Sequence, residues 1–500
     1  MINISPNLNE YLKKIKKKEN QIIWTTFKSD LDTPVSTYLK LCKQQENSFL
    51  LESVQDGTHR GRYSIIGFNP DVIWKCVNGI AYKKTLKKNN EFIKEQQKPL
   101  ISLQSLIKDS KIKLPTNLPP MSAGLIGYLG YETIEHYEKL PKRKKNQIDL
   151  PDGFFIRPSV LAIFDDIKNE VTLICPYWFD KKNEFKNDYK KINIIIRNLI
   201  DVILRKPLNY SFKKPLKKFT KPVSNIKKST FIEMVKKAKE YIFEGDIFQV
   251  VLSQRFKTQY LLPPFELYRS LRSLNPSPFL FYMNLKDEKK SNFSIIGSSP
   301  EILVKLENKK ITIRPIAGTR PRGKNINEDK KLKEDLLSDP KEISEHLMLL
   351  DLGRNDVGKM SKINSVKVTE RMKVELYSHV MHIVSNVIGI AKNTKNAVNI
   401  LMSGFPAGTV SGAPKIRAME IINKLEPESR GIYAGCVGYF SANGDMETCI
   451  VLRTAVVKNN EMFVQAGAGI VADSIPESEY METVNKSAAL FRAAELSYNS

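Results

Sequence analysis

Long hydrophobic runs are missing from this chain. The most apolar stretch, residues 192–204, carries Arg197 and Asp201 and is too short for a bilayer, which needs about 20 apolar residues. Residues 1–10 have no apolar segment of the kind a secretory leader uses. A soluble, cytoplasmic protein with no membrane partner is therefore expected. Cysteines are few and scattered: the five (Cys42, Cys76, Cys175, Cys436, Cys449) form no CxxC pair. Their odd number argues against a disulfide framework and fits free thiols in a reducing compartment. Nucleotide loops are also missing. Residues 404–415 (GFPAGTVSGAPK) lack the GxxxxGK[ST] spacing. Residues 467–472 (GAGIVA) match a dinucleotide fingerprint only superficially, because Asp473 to Pro476 intervene before the next helix. Both segments can still present backbone N–H groups to an anion.

Positive charge, by contrast, is abundant. Seventy-nine lysines and arginines against 54 acidic residues give a formal net charge of +25. Such a balance first suggests nucleic acid or an anionic surface. Much of it, however, lies in short blocks at 13–18, 142–145 and 213–228, which read as solvated termini, loops and a linker. No zinc-finger spacing, RNA-binding motif or basic region with heptads accompanies them, so no nucleic-acid partner is expected.

With 41% hydrophobic residues the chain can bury a sizeable core. Residues 48–53 and 63–67 are apolar runs of strand length, and 159–164 with 170–174 form a hairpin-like pair. Residues 184–204 have helical character. After the basic connection, Thr230 and Glu233 make a capping box for a helix with Phe231, Val235, Ala238 and Ile242 on one face, stopped at Gly245. Strands and helices interleave from there to about 495. The pattern predicts an α+β fold rather than βαβ alternation, with large, mostly antiparallel sheets in a sandwich-like core and helices packed outside.

Two acidic helices carry the sharpest chemistry. Glu342 and Glu345 share one helix face, and so do Glu479 and Glu482, with Lys486 one turn further on. If the faces meet, their carboxylates repel unless a hard cation such as Mg²⁺ sits between them. A single ExxE is more often wet surface. His379 and His382 lie in an apolar stretch, where a histidine is usually a core residue but can also move a proton near neutrality. Glu301 follows a turn (GSSP) and leads into a strand; partial burial there would make it a general acid.

Residues 313–323 (IRPIAGTRPRG), 342–356 (EISEHLMLLDLGRND), 408–415 (GTVSGAPK) and 465–474 (QAGAGIVADS), in this order, resemble the motifs of the chorismate-utilising enzymes. The resemblance is strong over 228–490 and looser before it. It implies that Glu345 and Glu482 hold Mg²⁺, with Glu342 and Glu479 beside them. Chorismate, a dicarboxylate, would be gripped by Gly318, Thr319, Tyr433, Arg453, Gly467, Ala468, Gly469 and Lys486. Glu301 looks like the acid that helps the C4 hydroxyl depart as ammonia attacks C2. His382 resembles the residue linked to proton removal and loss of pyruvate, with Thr319 beside it in the catalytic set.

Within that family, relatives that add water usually have a lysine base where Gln249 stands. Aminodeoxychorismate synthases typically have lysine at the position of Ala317. Both departures, together with Leu50-Leu51-Glu52-Ser53, make the chain similar to anthranilate synthase component I. The similarity implies an N-terminal region at 1–205 with a tryptophan feedback site, a basic linker at 206–228 and a chorismate-binding catalytic domain at 229–500. Ser53 would bond the inhibitor's polar end, while Pro278, Phe279 and Leu280 line its indole pocket. No Cys–His–Glu glutaminase pattern is present, so a separate glutamine amidotransferase subunit is the implied source of ammonia.

Overall fold

Strand residues in this chain alternate between two cores. Phe49, Ile65, Leu161, Ile295 and Val456 belong to one buried cluster, whereas their neighbours Leu50, Ile66, Ala162, Ile296 and Val457 belong to another. Successive side chains of a strand point to opposite faces, so this alternation places one core on each side of a sheet. The first cluster draws only on strands and loops and lies sheet against sheet. The second packs the outer face against helices that include Leu8–Lys16, Pro34–Cys42, Phe185–Arg205, Pro264–Leu274 and Pro476–Asn499. A third covers the opposite outer face with Pro99–Asp109, Pro340–Met360, Ala397–Gly404 and Lys415–Leu425. The result is a sheet sandwich with helices outside, the α+β arrangement expected from the sequence.

These are features of a computed structural model, which describes residues 3–499 except 44, 56–58, 87–88, 181–183, 213–214, 216–218, 288–290 and 378–379. Among the described residues, twenty-two strands form one hydrogen-bonded network, and its pairings are antiparallel. Strands from before and after the basic stretch pair directly: Ser48–Glu52 lies against Phe279–Lys286, and Gly124–Leu129 against Cys436–Ser441. Among the described residues, no helix is long and apolar enough to cross a membrane.

Most expected elements form, with longer bounds. The hairpin is Gly153–Asp165 with Glu170–Tyr177, and the two glutamate helices are Pro340–Met360 and Pro476–Asn499. One expectation is corrected. The helix placed after a Thr230–Glu233 capping box begins earlier, at Lys228, with Lys227 as its N-cap and no side-chain cap bond. Its buried face, Phe231, Met234, Val235 and Ala238, outweighs the local cap signal. It does stop at Gly245, whose φ of +82° only glycine adopts freely. The basic block at 142–145 is not simply solvated either. Arg143 grips Asp152 at 2.6 Å, and Lys144 donates to the carbonyl of Lys424 at 3.1 Å.

Candidate active site

The glycine segment at 467–469 lies inside the strand Glu461–Ile470, paired with Gln249–Gln259 so that Val251, Leu252 and Ser253 oppose Gly469, Ala468 and Gly467. Its glycines leave room for side chains arriving from elsewhere. A β-carbon on Gly467 would stand 2.7 Å from the Tyr433 hydroxyl, and one on Gly469 would stand 2.7 Å from Gln249 Nε2. Burial lifts the Tyr433 phenol to about 12, against the charge of Arg430 and the nearby Gly467 backbone, which lower it. Lys486, on the C-terminal helix, donates to Gly467 O at 3.2 Å and pairs with Glu482 at 2.6 Å.

Opposite stands the first glutamate helix. Asp339 caps it, accepting from the N–H groups of Lys341 and Glu342. Gln249 donates to Glu345 Oε1 at 3.1 Å, while its own carbonyl oxygen is buried without a partner. Burial raises the Glu345 carboxyl above the usual carboxylate range; Glu342 and Glu482 add to the rise, and Gln249 and Lys486 oppose it. Glu479 is raised as well, by burial and by Glu482. The two helices approach closely enough for Glu482 to act electrostatically on Glu345, a meeting that the spacing had left as a condition. Glu342 is already paired, accepting from Arg320 at 3.1 Å. Among the described residues no three His, Cys, Asp or Glu side chains are grouped to hold a metal unaided.

The second half of the site is built around a strand bulge. In Ile316–Pro321 the register against Val380–Ile390 shifts between Ala317 and Thr319, and Gly318 there has φ +71°. The bulge turns the Gly318 carbonyl toward His382, whose Nδ1 donates to it at 3.0 Å, with Thr319 Oγ1 at 3.1 Å. Nδ1 therefore carries the proton, and Nε2 is left with a lone pair. Burial depresses His382 to about 4; Gly318 opposes that, and the charges of Arg453 and Lys486 add to it. His379 lies outside the described residues.

Glu301 sits between strands, only 7% exposed. Burial pushes its carboxyl up to about 8, against the Thr409 hydroxyl and the Arg453 charge, which lower it. Arg453 is half-buried, held at φ +48°, and makes no side-chain hydrogen bond or ion pair among the described residues. A desolvated guanidinium without an ion pair is chemically suited to an anion. Thr409, within the 408–415 motif, and Tyr377, which shares the electrostatic environment of Glu301 and Arg453, were not singled out as site residues from the sequence. Only their long-range neighbours mark them.

Away from this site, Ser48–Glu52 pairs with Phe279–Lys286 so that Glu52 opposes Leu280. This brings Ser53 to the 275–280 segment. Glu52 is fixed by Arg272 at 2.7 and 3.0 Å and by Tyr268 at 2.5 Å. Pro278 and Phe279 are half-buried, and Leu280 is in the helix-side core.

Comparison with known proteins agrees with this geometry. Residues 46–492 match the model of the chorismate binding enzymes. Anthranilate synthase component 1 of Cereibacter sphaeroides is 48% identical over 96% of this chain and 95% of its own. That of Aquifex aeolicus is 43% identical over 99% of each. The crystal structure of anthranilate synthase component I from Streptococcus pneumoniae superposes with a TM-score of 0.76, at 39% identity, covering 93% of this chain and 98% of that one. A menaquinone-specific isochorismate synthase from Escherichia coli, 20% identical with a TM-score of 0.69, shares the fold. A buried acid, a neutral imidazole, an unpaired arginine and two facing glutamate helices are thus carried by a chain that belongs to the chorismate-binding enzymes, in their anthranilate synthase component 1 branch.

Proposed function

We propose that this enzyme aminates chorismate with ammonia and then eliminates pyruvate to release anthranilate, the first committed step of tryptophan synthesis. The observation that carries the reading is the opposite displacement of Glu301 and His382. An acid raised to about 8 keeps its proton at neutral pH, and an imidazole lowered to about 4 stays neutral and can take one. Arg453, Tyr433, Lys486, Gly318, Thr319 and the N–H groups of 467–469 would bind the substrate's two carboxylates and orient the ring. As ammonia forms the C–N bond at C2, both ring double bonds shift toward C4, the C4–O bond breaks, and the hydroxyl leaves as water with the Glu301 proton; the proton lost from the new ammonium nitrogen restores Glu301. His382 Nε2 then removes the C2 proton as the enolpyruvyl C–O bond breaks and the ring becomes aromatic; Thr319 holds the imidazole from its other side.

Gln249 supports ammonia over water as the nucleophile. Its amide cannot deprotonate water, and its orphaned carbonyl oxygen is an acceptor for an ammonia N–H. Glu345 and Glu482 would hold Mg²⁺. The Glu345 carboxyl, raised by burial and by its neighbours Glu342 and Glu482, fits a hard cation, with the remaining ligands coming from Glu482, substrate and water. When bound, the ion supplies Lewis-acid stabilisation of charge developing at the ring carboxylate. The relatives' designation as component 1 supports a second component, a glutamine amidotransferase that supplies ammonia in the cytoplasm, with the two components in a heterotetramer. Tryptophan would bind at Ser53, Pro278, Phe279 and Leu280 as a feedback inhibitor.

The test is to incubate the chain with chorismate, MgCl₂ and ammonium at alkaline pH and follow anthranilate fluorescence, with and without tryptophan. Accumulation of 4-amino-4-deoxychorismate without fluorescence would refute the assignment.

A further inference from the structure

The Gly408–Val410 turn touches the acid on one side and a buried arginine on the other. Thr409 Oγ1 lies 3.1 and 3.2 Å from the two carboxyl oxygens of Glu301. The next carbonyl, Val410 O, accepts from Arg430 at 2.7 Å. Arg430 is itself immobile. Its guanidinium donates to both Glu426 oxygens at 2.9 and 2.6 Å and to Val251 O at 2.7 Å. It also lies between the rings of Tyr131 and Tyr433, 4.9 and 5.5 Å from their centroids. The turn has little freedom of its own. The N–H groups of Val410 and Ser411 donate back to Ala407 O and Gly408 O, and a β-carbon on Gly408 would collide with Leu352.

We propose that Thr409 is a positioning residue for the acid, aimed by Arg430 through the Val410 carbonyl, and that it keeps the Glu301 proton directed at the departing hydroxyl. This rests on the reading of Glu301 as the acid. A hydroxyl suits the task because it can donate to the carbonyl oxygen of the protonated carboxyl, leaving the O–H free for the substrate, and keep donating once the proton has gone. In the step, the Glu301 O–H bond breaks and its proton passes to the C4 oxygen. The C4–O bond breaks with its electron pair on oxygen, water leaves, and the new carboxylate is stabilised by donation from Thr409. The other groups facing Glu301 are the Arg453 charge and the Tyr377 phenol. Among the described residues neither hydrogen-bonds to the carboxyl, so orientation falls to Thr409.

The experiment measures kcat and KM against pH for the full chain and for Thr409→Val, Thr409→Ser and Glu301→Gln, with chorismate, MgCl₂ and ammonium. Valine matches threonine in shape, so the fold is kept, and circular dichroism verifies it. Thr409→Val is expected to keep KM within about twofold but lose roughly ten- to a hundredfold in kcat. Its alkaline limb should move upward, because the ionised acid has lost a donor. Thr409→Ser should restore both. A Thr409→Val enzyme with wild-type kcat and limb, or a serine variant no better than valine, overturns the proposal. An active Glu301→Gln enzyme would instead overturn the reading of Glu301 as the acid, and the proposal with it.

Discussion

Lys486 Nζ lies 2.6 Å from Glu482 Oε1, one helical turn away, and 3.2 Å from Gly467 O. One ammonium thus ties the C-terminal helix to the glycine strand, yet it balances only part of the negative charge there, since burial with Glu342 and Glu482 still keeps Glu345 raised. Glu482→Gln removes one of these charges while preserving shape. Turnover should be lost, and any residual activity should need far more Mg²⁺. A magnesium titration after chelation checks this; near-normal activity at limiting Mg²⁺ would count against the metal assignment.

The pH profile follows from Glu301. As a general acid it must be protonated, and burial places its carboxyl at about 8. With saturating ammonium, kcat should be level below that value and fall as pH rises through it. In kcat/KM for ammonium the rising fraction of free ammonia works in the opposite sense, so kcat is the parameter to follow. Glu301→Gln should lose both the limb and most of the activity.

Ser53→Ala tests the N-terminal site. It removes one hydroxyl at the end of a strand whose partner carries Phe279 and Leu280. Inhibition by tryptophan should weaken by roughly ten- to a hundredfold, the value of one or two hydrogen bonds, while kcat changes little. Inhibition curves for the two enzymes decide the matter, and superimposable curves would refute the site.

Arg430→Met tests the brace behind the active site. Arg430 is 2% exposed and Glu426, which it grips with two bonds, is equally buried. Removing one partner leaves an uncompensated charge in the interior, so stability should drop by about 3–5 kcal/mol. Urea unfolding followed by circular dichroism measures this. Arg430→Met with Glu426→Gln should recover part of the loss.

The two glutamate faces were legible because helical periodicity alone puts residues three and four apart on one side. Period-two alternation likewise announced the strands, and the gap after residue 472 ruled out a dinucleotide loop. Those are local properties, decided by neighbours along the chain. Even there tertiary packing intervened, starting one helix at Lys228 rather than at its apparent cap.

What the acids and bases do was decided only by the fold. Glu301 keeps its proton near neutrality because burial among distant parts of the chain desolvates it, with Thr409, far away in sequence, bound to its carboxyl. His382 stays neutral because packing around the ring desolvates it, in spite of its bond to the Gly318 carbonyl. Arg453 makes no ion pair among the described residues, although its charge is felt at the Glu301 carboxyl. Protonation state and orphaned charge depend on burial and on contacts made through space, and neither is written in residue spacing. Sequence therefore determined which residue types stand on which element and, through ordered motifs, which family they resemble. Tertiary structure determined which of them keeps its proton.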